Sequence, residues 1–377
     1  MKNKLIILFA FALAFMACEN QENSFDDFGS TSVYFPFQTP VRSLIQGKYD
    51  LGFNDNDNKG RFEIGVTMSG VYENTKDRKV GFELAPGLID AAALGLDTVN
   101  VKVLPASYYT IEQESPVTIP AGSIKGRIPV QLNDAFFDDP LSFAGENDVH
   151  YVIPLKITNF EGLDSLLTGI PFIDNPISIK ADDWEILPKD YTLFGIKFIN
   201  KYTGIHLRRG ADKIVGTSEE FTVSSNQTET TNIDETIVYH APYVEQDELI
   251  TLNTSGRNQV TTTNLIKRGS ISSDTDLSIN IQVNDSGDIT VAPVDGDNQT
   301  VTGTGKWVED GDEWGGEKRD VIYLDYTFDD QEIVEQKVFG TVVSRTTLNL
   351  VHTVKDTIVM RDRNVKFEEF IIDLEKK

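Results

Sequence analysis

Short runs of alternating polar and apolar residues, separated by turn residues, recur along most of this 377-residue chain. Arg61 to Met68 alternates in this way, and Lys79 to Leu84 repeats the pattern. A period of two places every second side chain on one face, as in a half-buried β-strand. Clusters rich in Asn, Asp and Gly, such as Asn54 to Gly60 and Asn284 to Asp288, mark turns between such runs. The sequence therefore predicts an all-β fold.

The spacing of the runs divides the chain into two β domains. Residues 30–160 hold about seven short runs, which predict an immunoglobulin-like β-sandwich. Residues 161–189 carry scattered Gly and Pro and are predicted to form a connector. Residues 190–377 hold regular runs joined by hairpin signals, which predict an up-and-down β-barrel. Lys201 to Gly204 resembles the opening of lipocalin-like barrels, where a Gly lets the chain bend into the barrel.

Residues 1–17 have the features of a secretory signal peptide. Lys2 and Lys4 precede an uncharged apolar run, which is shorter than the about 20 residues that a membrane-spanning helix needs. The end of the run, Ala17 before Cys18, resembles the cleavage box of bacterial lipoproteins, although Phe15-Met16 departs from the usual pair. This resemblance implies lipidation of Cys18, the single cysteine, and a lipid anchor in a membrane. An ordinary cleaved signal with an incidental Cys18 is the alternative.

Residues 18–29 form a polar, acidic stretch without a hydrophobic period, which is typical of a flexible tether. Acidic residues soon after the lipid cysteine resemble the signal that sends Bacteroidetes lipoproteins to the outer face of the outer membrane. The resemblance implies an outer-membrane protein that faces the cell exterior. A plain solvated linker is the alternative.

A series of short motifs follows one order within the predicted sandwich. The motifs are Val66 to Gly70, Asp77 to Val80 with Phe82, Leu104-Pro105 with Tyr108-Tyr109, Val117 to Gly122, and Tyr151 to Leu155. Their order resembles the N-terminal module of a Bacteroidetes surface lipoprotein family, a domain of unknown function found in glycan-utilisation loci. The resemblance implies an immunoglobulin-like sandwich, a role in glycan capture and no catalytic residue in this part. A second β domain commonly follows in that family, which supports a lipocalin-like barrel.

Few of the usual signatures of enzyme chemistry occur in the sequence. The four histidines form no His-Glu-x-x-His motif or close pair, and no Gly-x-Ser-x-Gly elbow or phosphate-binding loop is present. Spacing alone leaves a glycosidase pair of carboxylates open, but no barrel of alternating strands and helices is predicted to hold one. We therefore predict a protein that is not an enzyme and that uses no cofactor and no metal.

The formal net charge of −25 repels nucleic acid and anionic lipid headgroups. It favours a neutral or cationic ligand, and no nucleic acid partner is expected. We predict a non-catalytic cell-surface lipoprotein that binds an oligosaccharide for an outer-membrane polysaccharide-utilisation system, with transporter components of that membrane as further partners. An adhesin-like or structural surface protein that binds a protein partner is the alternative.

The predicted ligand site centres on two tryptophans in the second domain. Trp307 and Trp314 flank an acidic, Gly-rich stretch that is predicted to be a flexible loop. Sugar rings pack their C–H faces on aromatic rings, and their hydroxyls bond to polar side chains. Trp314 is predicted to be an exposed platform with Asp312 beside it, and Trp307 either joins it or packs in the core. Tyr239 and Tyr243 form a second candidate cluster. The acidic stretch could collect a cation or be a solvated loop.

Overall fold

The structure is a computed structural model, which describes residues 27–49, 52–143, 149–266, 276–294 and 300–375. The predicted signal peptide, Cys18 and most of the predicted tether lie outside the described residues. The chain is 57% strand and 9% helix, which confirms the predicted all-β, two-domain architecture. Within the described ranges, helices are all too short or too polar to cross a membrane.

The strands before the barrel are short. They are β1 Ser32–Tyr34, β2 Pro40–Ile45, β3 Arg61–Ser69, β4 Arg78–Leu84, β5 Thr98–Val99, β6 Lys102–Val103, β7 Tyr109–Ile111, β8 Val117–Ile119, β9 Lys125–Leu132, β10 Tyr151–Glu161, β11 Ser165–Leu166, β12 Ile170–Pro171, β13 Trp184–Ile186 and β14 Tyr191–Ile199. The α-helices are single turns, α1 Asp55–Asn58, α2 Ala91–Leu94 and α3 Asp134–Asp138. Further single turns of 3-10 helix lie at Pro86–Ile89, Ala106–Tyr108, Pro140–Phe143, Ala181–Asp183 and Val244–Gln246.

The first domain is a sandwich of two sheets. One sheet has the order β11-β1-β3-β9-β7, and the other has the order β24-β2-β14-β10-β4-β8 with β6 paired to β10, where β24 is Glu368–Glu369 near the end of the chain. On β3, the alternate residues Phe62, Ile64, Val66 and Met68 are buried and point into the space between the sheets. Burial of one face and solvation of the other is the reason that this strand alternates in sequence.

Strand β14 belongs to this sandwich, although the sequence boundary at residue 190 placed it in the second domain. It pairs antiparallel with β10 and parallel with β2. Tyr191 and Leu193 pack into one apolar cluster, whereas Ile196 and Phe198 belong to the core between the sheets. A strand that is buried on both faces carries no alternation, so its sequence could not show which sheet it joins.

The second domain is built from longer antiparallel strands. They are β15 Gly204–Thr222, β16 Gln227–Tyr239, β17 Glu248–Gly256, β18 Gln259–Thr262, β19 Ile279–Val283, β20 Asp288–Pro293, β21 Val301–Trp314, β22 Glu317–Val338 and β23 Thr341–Asp362. They form one nine-stranded sheet in which β23 returns to pair with β15, so the ring of strands closes. Gly204 opens β15 at φ +153, where a Cβ would lie 2.4 Å from the carbonyl oxygen of Asp362. The up-and-down arrangement therefore agrees with the expectation.

Part of the sheet continues past the ring. Residues 210–222 of β15 pair with β16, while the last residues of β22 and the first of β23 form a long hairpin beside them. We call this projecting sheet the arm. Its tip is the turn at Phe339 and Gly340, both with positive φ, as a two-residue hairpin turn requires.

After β23 the chain returns to the first domain as a segment that we call the strap, residues 363–375. It contains β24 Glu368–Glu369, which pairs with β2, and β25 Leu374–Glu375, which pairs with β5. Phe370 and Ile372 of the strap pack on the apolar cluster that contains Val152 and Leu193. Arg363 at its start donates from Nη1 to the carbonyl oxygens of Gln46 and Lys48, each at 3.0 Å. The strap thereby ties the barrel to the sandwich.

Candidate functional site

An open cleft of about 440 Å³ lies where the strap crosses strand β2. This volume falls within the about 300–1,000 Å³ typical of small-molecule sites. Its aromatic lining is Phe37, Tyr49, Phe194 and Phe367, and its polar lining includes Arg42, Ser43, Thr192 and Lys366. Apolar walls with a few polar groups are the usual composition of such a site.

Two phenylalanines stand at the mouth of the cleft. Phe37 is 45% exposed and Phe367 is 67% exposed. Their ring centroids are 5.3 Å apart and the ring planes are tilted by 52°. The backbone around Phe37 is fixed, because the Thr192 hydroxyl donates to the carbonyl oxygen of Phe37 at 2.9 Å. These rings come from distant parts of the chain and leave much of their surface uncovered.

Arg42 brings a positive charge to the cleft and is held from behind. Its Nη2 donates to Asp57 of α1, and its Nη1 donates to the carbonyl oxygen of Ser43 at 3.3 Å. Asp57 is buried and also accepts the backbone N–H of Ile45 at 3.0 Å. Burial raises the pKa of the Asp57 carboxyl, although the Ile45 N–H and Arg42 act in the opposite direction. Asp57 therefore orients the guanidinium, whose side chain remains 39% exposed.

The stretch between the two tryptophans is the last part of strand β21, interrupted by a bulge, so the expectation of a flexible loop is wrong. Trp307 and Trp314 both lie on β21, and the turn to β22 consists only of Gly315 and Gly316. Both glycines have positive φ, 63° and 78°, as in a tight hairpin turn. A bulge between Val308 and Asp312 takes up the intervening acidic residues.

Trp307 closes one end of the barrel. Its ring packs edge-on against Tyr202 at 5.5 Å between centroids. The ammonium group of Lys201 lies 4.1 Å from the centroid of the same indole. The ring also packs against the barrel core. This position agrees with the alternative that Trp307 is a core residue.

Trp314 is half-buried on the hairpin, and the guanidinium of Arg319 lies 5.2 Å from its ring centroid. The indole Nε1 is buried and has no hydrogen-bond partner in the described part of the chain. Asp312 is exposed and accepts the backbone N–H of Glu313 at 2.8 Å. The role of Trp314 and Asp312 in ligand binding stays a prediction.

The two tyrosines of the second candidate cluster differ in their surroundings. Tyr243 is 67% exposed. The Tyr239 hydroxyl instead accepts from Nη2 of Arg208 at 3.1 Å and donates to Asp356. Burial, reinforced by the Asp356 charge, raises the pKa of Tyr239. Tyr239 therefore belongs to a polar network between the strands.

The acidic residues near Trp307 are paired with a lysine of the first domain. The Lys48 ammonium lies 3.1 Å from Glu309 and 2.8 Å from Asp310. These carboxylates therefore contact a side chain of the protein itself. Across the described ranges, His, Cys, Asp and Glu side chains do not come together in groups of three or more that could hold a metal ion.

Comparisons with known proteins cover both domains. A family model described as a domain of unknown function (DUF5627) matches residues 201–364. A second model, described only as a "-like, N-terminal domain", matches residues 26–164. No curated protein sequence matches the chain. Neither matching model names a ligand or an activity.

One solved structure, a protein of unknown function from Bacteroides ovatus, is 29% identical to this chain. It covers 94% of this chain and 100% of its own, with a TM-score of 0.73. A multidomain protein including DUF1735 from Bacteroides ovatus is 13% identical, covers 91% of this chain and 99% of its own, and has a TM-score of 0.37.

An auxiliary nutrient binding protein from Bacteroides thetaiotaomicron is also 13% identical, covers 84% of this chain and 91% of its own, and has a TM-score of 0.34. None of these three structures is described as an enzyme. The chain is thus similar in fold and sequence to a Bacteroides protein of unknown function, and the two more distant structures support no conclusion about its ligand.

Proposed function

We propose that this protein is a non-catalytic binding protein that takes an oligosaccharide into the cleft between the strap and strand β2. The observation that carries the proposal is the pair Phe37 and Phe367, exposed by 45% and 67% over a cleft of about 440 Å³. A pyranose ring presents a C–H face that packs on such aromatic rings. Ser43 and Arg42 in the lining supply polar groups for its hydroxyls.

The two rings are positioned for a ligand and contribute little to the core. Residues that stabilise the sandwich, such as Phe35 and Phe198, are almost completely buried. Phe37 and Phe367 contact each other at 5.3 Å but keep large exposed faces. Exposed apolar surface beside polar groups is typical of binding sites.

The proposal includes a place for the protein at the cell surface. The lipoprotein box at Cys18 and the acidic residues after it support anchoring in the outer membrane, with the cleft available to extracellular glycans. We expect intact-mass measurement of the mature protein to show an acylated N-terminal cysteine. A mature chain that begins elsewhere, or that carries an unmodified Cys18, would contradict the anchor.

The binding site is tested by substitution of one aromatic ring. Phe367→Ala should weaken oligosaccharide binding by about 1–3 kcal/mol, because it removes one apolar stacking face. A glycan array with wild-type protein identifies a ligand, and calorimetry then measures the loss. The matched control is Phe339→Ala, which removes an equally bulky and fully exposed ring at the tip of the arm.

Trp314→Ala separates this site from the one predicted on the hairpin. Unchanged binding in Phe367→Ala together with lost binding in Trp314→Ala would move the site to the barrel. Release of reducing ends from the bound polysaccharide would instead show that the protein is an enzyme.

A protein partner is the second candidate, and the arm is the observation that favours it. Phe339 is fully exposed at the tip, and Ile333 and Val338 on the same hairpin are 62% and 47% exposed. Apolar side chains gathered on a projecting sheet are typical of a protein contact. Loss of a copurifying protein in Phe339→Ala, without loss of glycan binding, would assign this role to the arm.

A further inference from the structure

We infer that the oligosaccharide bound in the cleft carries an anionic group, a carboxylate or a sulfate, which Arg42 and Lys366 recognise. This inference rests on the proposed function of the cleft and adds the class of sugar. Arg42 and Lys366 would contact the charged substituent, whereas Phe37 and Phe367 would pack against the sugar ring.

The charge of the lining is opposite to the charge of the chain. The chain has 59 acidic and 34 basic residues. Among the described residues that line the cleft are Arg42 and Lys366, and none of those residues is an aspartate or glutamate. Cationic side chains in the wall of a cleft attract an anionic ligand locally, even in a protein whose net charge is negative.

Two acceptors within the protein orient the Arg42 guanidinium but leave some of its N–H groups available to a ligand. Asp57 takes Nη2 and the Ser43 carbonyl oxygen takes Nη1. A guanidinium has five N–H groups in a rigid fork, so N–H groups remain for a second acceptor. Bidentate or shared binding of a carboxylate or sulfate oxygen is the recognition that this fork suits. The buried Asp57 supplies the rigid support that such recognition needs.

Lys366 supplies a second cationic side chain to the cleft. It is exposed on the strap between Val365 and Phe367, and all three residues line the cleft. Glu368, the nearest acidic residue along the strap, pairs with Lys197, with 2.7 Å between its Oε2 and the ammonium. Since Lys366 and Phe367 line the same cleft, a sugar that packs on the Phe367 ring brings its substituents into the part of the cleft that Lys366 lines.

The net charge of −25 is no obstacle to an anionic ligand at this position. Charges that lie beyond about 8 Å are largely screened at physiological ionic strength. Contacts inside the cleft act at hydrogen-bond distance, where the Lys366 ammonium and the remaining N–H groups of Arg42 lie closer to a bound ligand than the acidic surface does. The expectation from composition, a neutral or cationic ligand, is replaced here by an expectation from the local lining.

The experiment uses pairs of sugars that differ only in charge. The probes are trigalacturonate with its methyl ester, and a sulfated carrageenan oligosaccharide with its desulfated form. Calorimetry with the full mature chain should show at least one anionic probe binding about tenfold more tightly than its uncharged partner, as expected for one charge-assisted hydrogen bond. The preferred pair tells whether the group is a carboxylate or a sulfate.

Lys366→Gln should lower the affinity for the anionic probe about tenfold and leave that for the uncharged probe unchanged. Lys366 is exposed, so the substitution does not threaten folding. Lys318→Gln is the matched control, because it removes an exposed lysine from the barrel hairpin. Raising the salt concentration should reduce the preference more in wild type than in Lys366→Gln, which keeps Arg42.

Two outcomes would overturn the inference. Uncharged sugars that bind as tightly as their anionic partners, with dependence on Phe367, would refute it and leave the proposed function intact. Binding of no anionic probe, while a neutral glycan from the array binds, has the same meaning. Failure of every glycan to bind in a Phe367-dependent way would instead refute the proposed function itself.

Discussion

Aromatic rings meet charged side chains in two regions of this protein, the network between the barrel strands and the cleft under the strap. In the barrel, the Arg208 guanidinium donates to Asp356 at 2.9 Å, to Tyr239 at 3.1 Å and to Tyr326 at 3.3 Å. The Arg208 and Asp356 side chains have no exposed surface. In the cleft, Arg42 has one carboxylate behind it and an open side in front.

The two regions differ in the source of the hydrogen-bond partners, which is the chain itself in one region and a ligand in the other. In the barrel network, the chain itself supplies acceptors and donors, so a ligand has nothing to add there. In the cleft, the exposed rings and the remaining N–H groups of Arg42 are available to contact a ligand. A ring of strands of the lipocalin-like kind is therefore not by itself evidence of an interior ligand site. Here the stronger candidate lies at the seam between the domains.

Substitution of Asp356 should have the largest effect, and it tests whether the barrel network stabilises the fold. Asp356→Ala leaves the buried Arg208 charge with the more distant carboxylate of Glu248, 3.7 Å from Nη1, and should lower the free energy of unfolding by about 3–5 kcal/mol. Urea denaturation followed by fluorescence measures the change. Phe367→Ala in the cleft should change it far less, because its ring is 67% exposed.

A paired replacement gives the control for this effect. Arg208→Met combined with Asp356→Leu removes both charges, so the double variant should be more stable than Asp356→Ala alone. If Asp356→Ala unfolds no more easily than wild type, the network is not a structural device, and its groups would have to be considered for ligand binding.

The fold could be predicted wherever one face of a strand meets solvent. Strand β3 alternates because Phe62 and Ile64 face the core while Glu63 does not. Strand β14 could not be assigned, because Leu193 and Phe198 are buried on opposite faces of one strand. Its parallel pairing with β2 joins residues from distant parts of the chain. Such pairing depends on the assembled sandwich and leaves no local pattern.

The candidate site was harder to predict for the same reason. Trp314 stands out in the sequence because its neighbours are acidic or Gly, a local property. Phe37 and Phe367 lie near opposite ends of the chain, and only the return of the strap to β2 brings them together. The sequence did indicate that a segment with apolar residues follows the last barrel strand. It could not indicate that this segment packs on β2.

Two buried histidines extend the comparison to pH. The Nδ1–H of His352 donates to the Asp212 carboxylate at 2.6 Å, and its Nε2 lies 3.6 Å from Asp330. Burial alone would lower the pKa of His352, but the hydrogen bonds and charges of the two aspartates outweigh it and raise the pKa. Burial lowers the pKa of His206 to about 4, and the Arg363 charge acts in the same direction.

These shifts predict opposite pH trends. A raised pKa in the folded state means that His352 stabilises the fold below its unfolded pKa of about 6.5 and that this contribution is lost as pH rises through the folded value. His206 has the reverse sign, because the unfolded chain takes up a proton below about pH 6.5 that the folded chain refuses until about pH 4.

Stability should therefore respond to the two substitutions in different ways at acid pH. The loss of unfolding free energy in His352→Gln should be larger at pH 5.5 than at pH 8.5, whereas the loss in His206→Gln should be smaller at pH 5.5. Urea midpoints for each variant, taken relative to wild type at both pH values, measure this, because titrations shared by all chains cancel. Lys366→Gln in the cleft should show no trend, since this exposed side chain lies outside the buried network of the barrel. Parallel trends in the two histidine variants would mean that the buried aspartates do not hold the proton on His352. The charges of the barrel network would then not be compensated by the chain itself at that position.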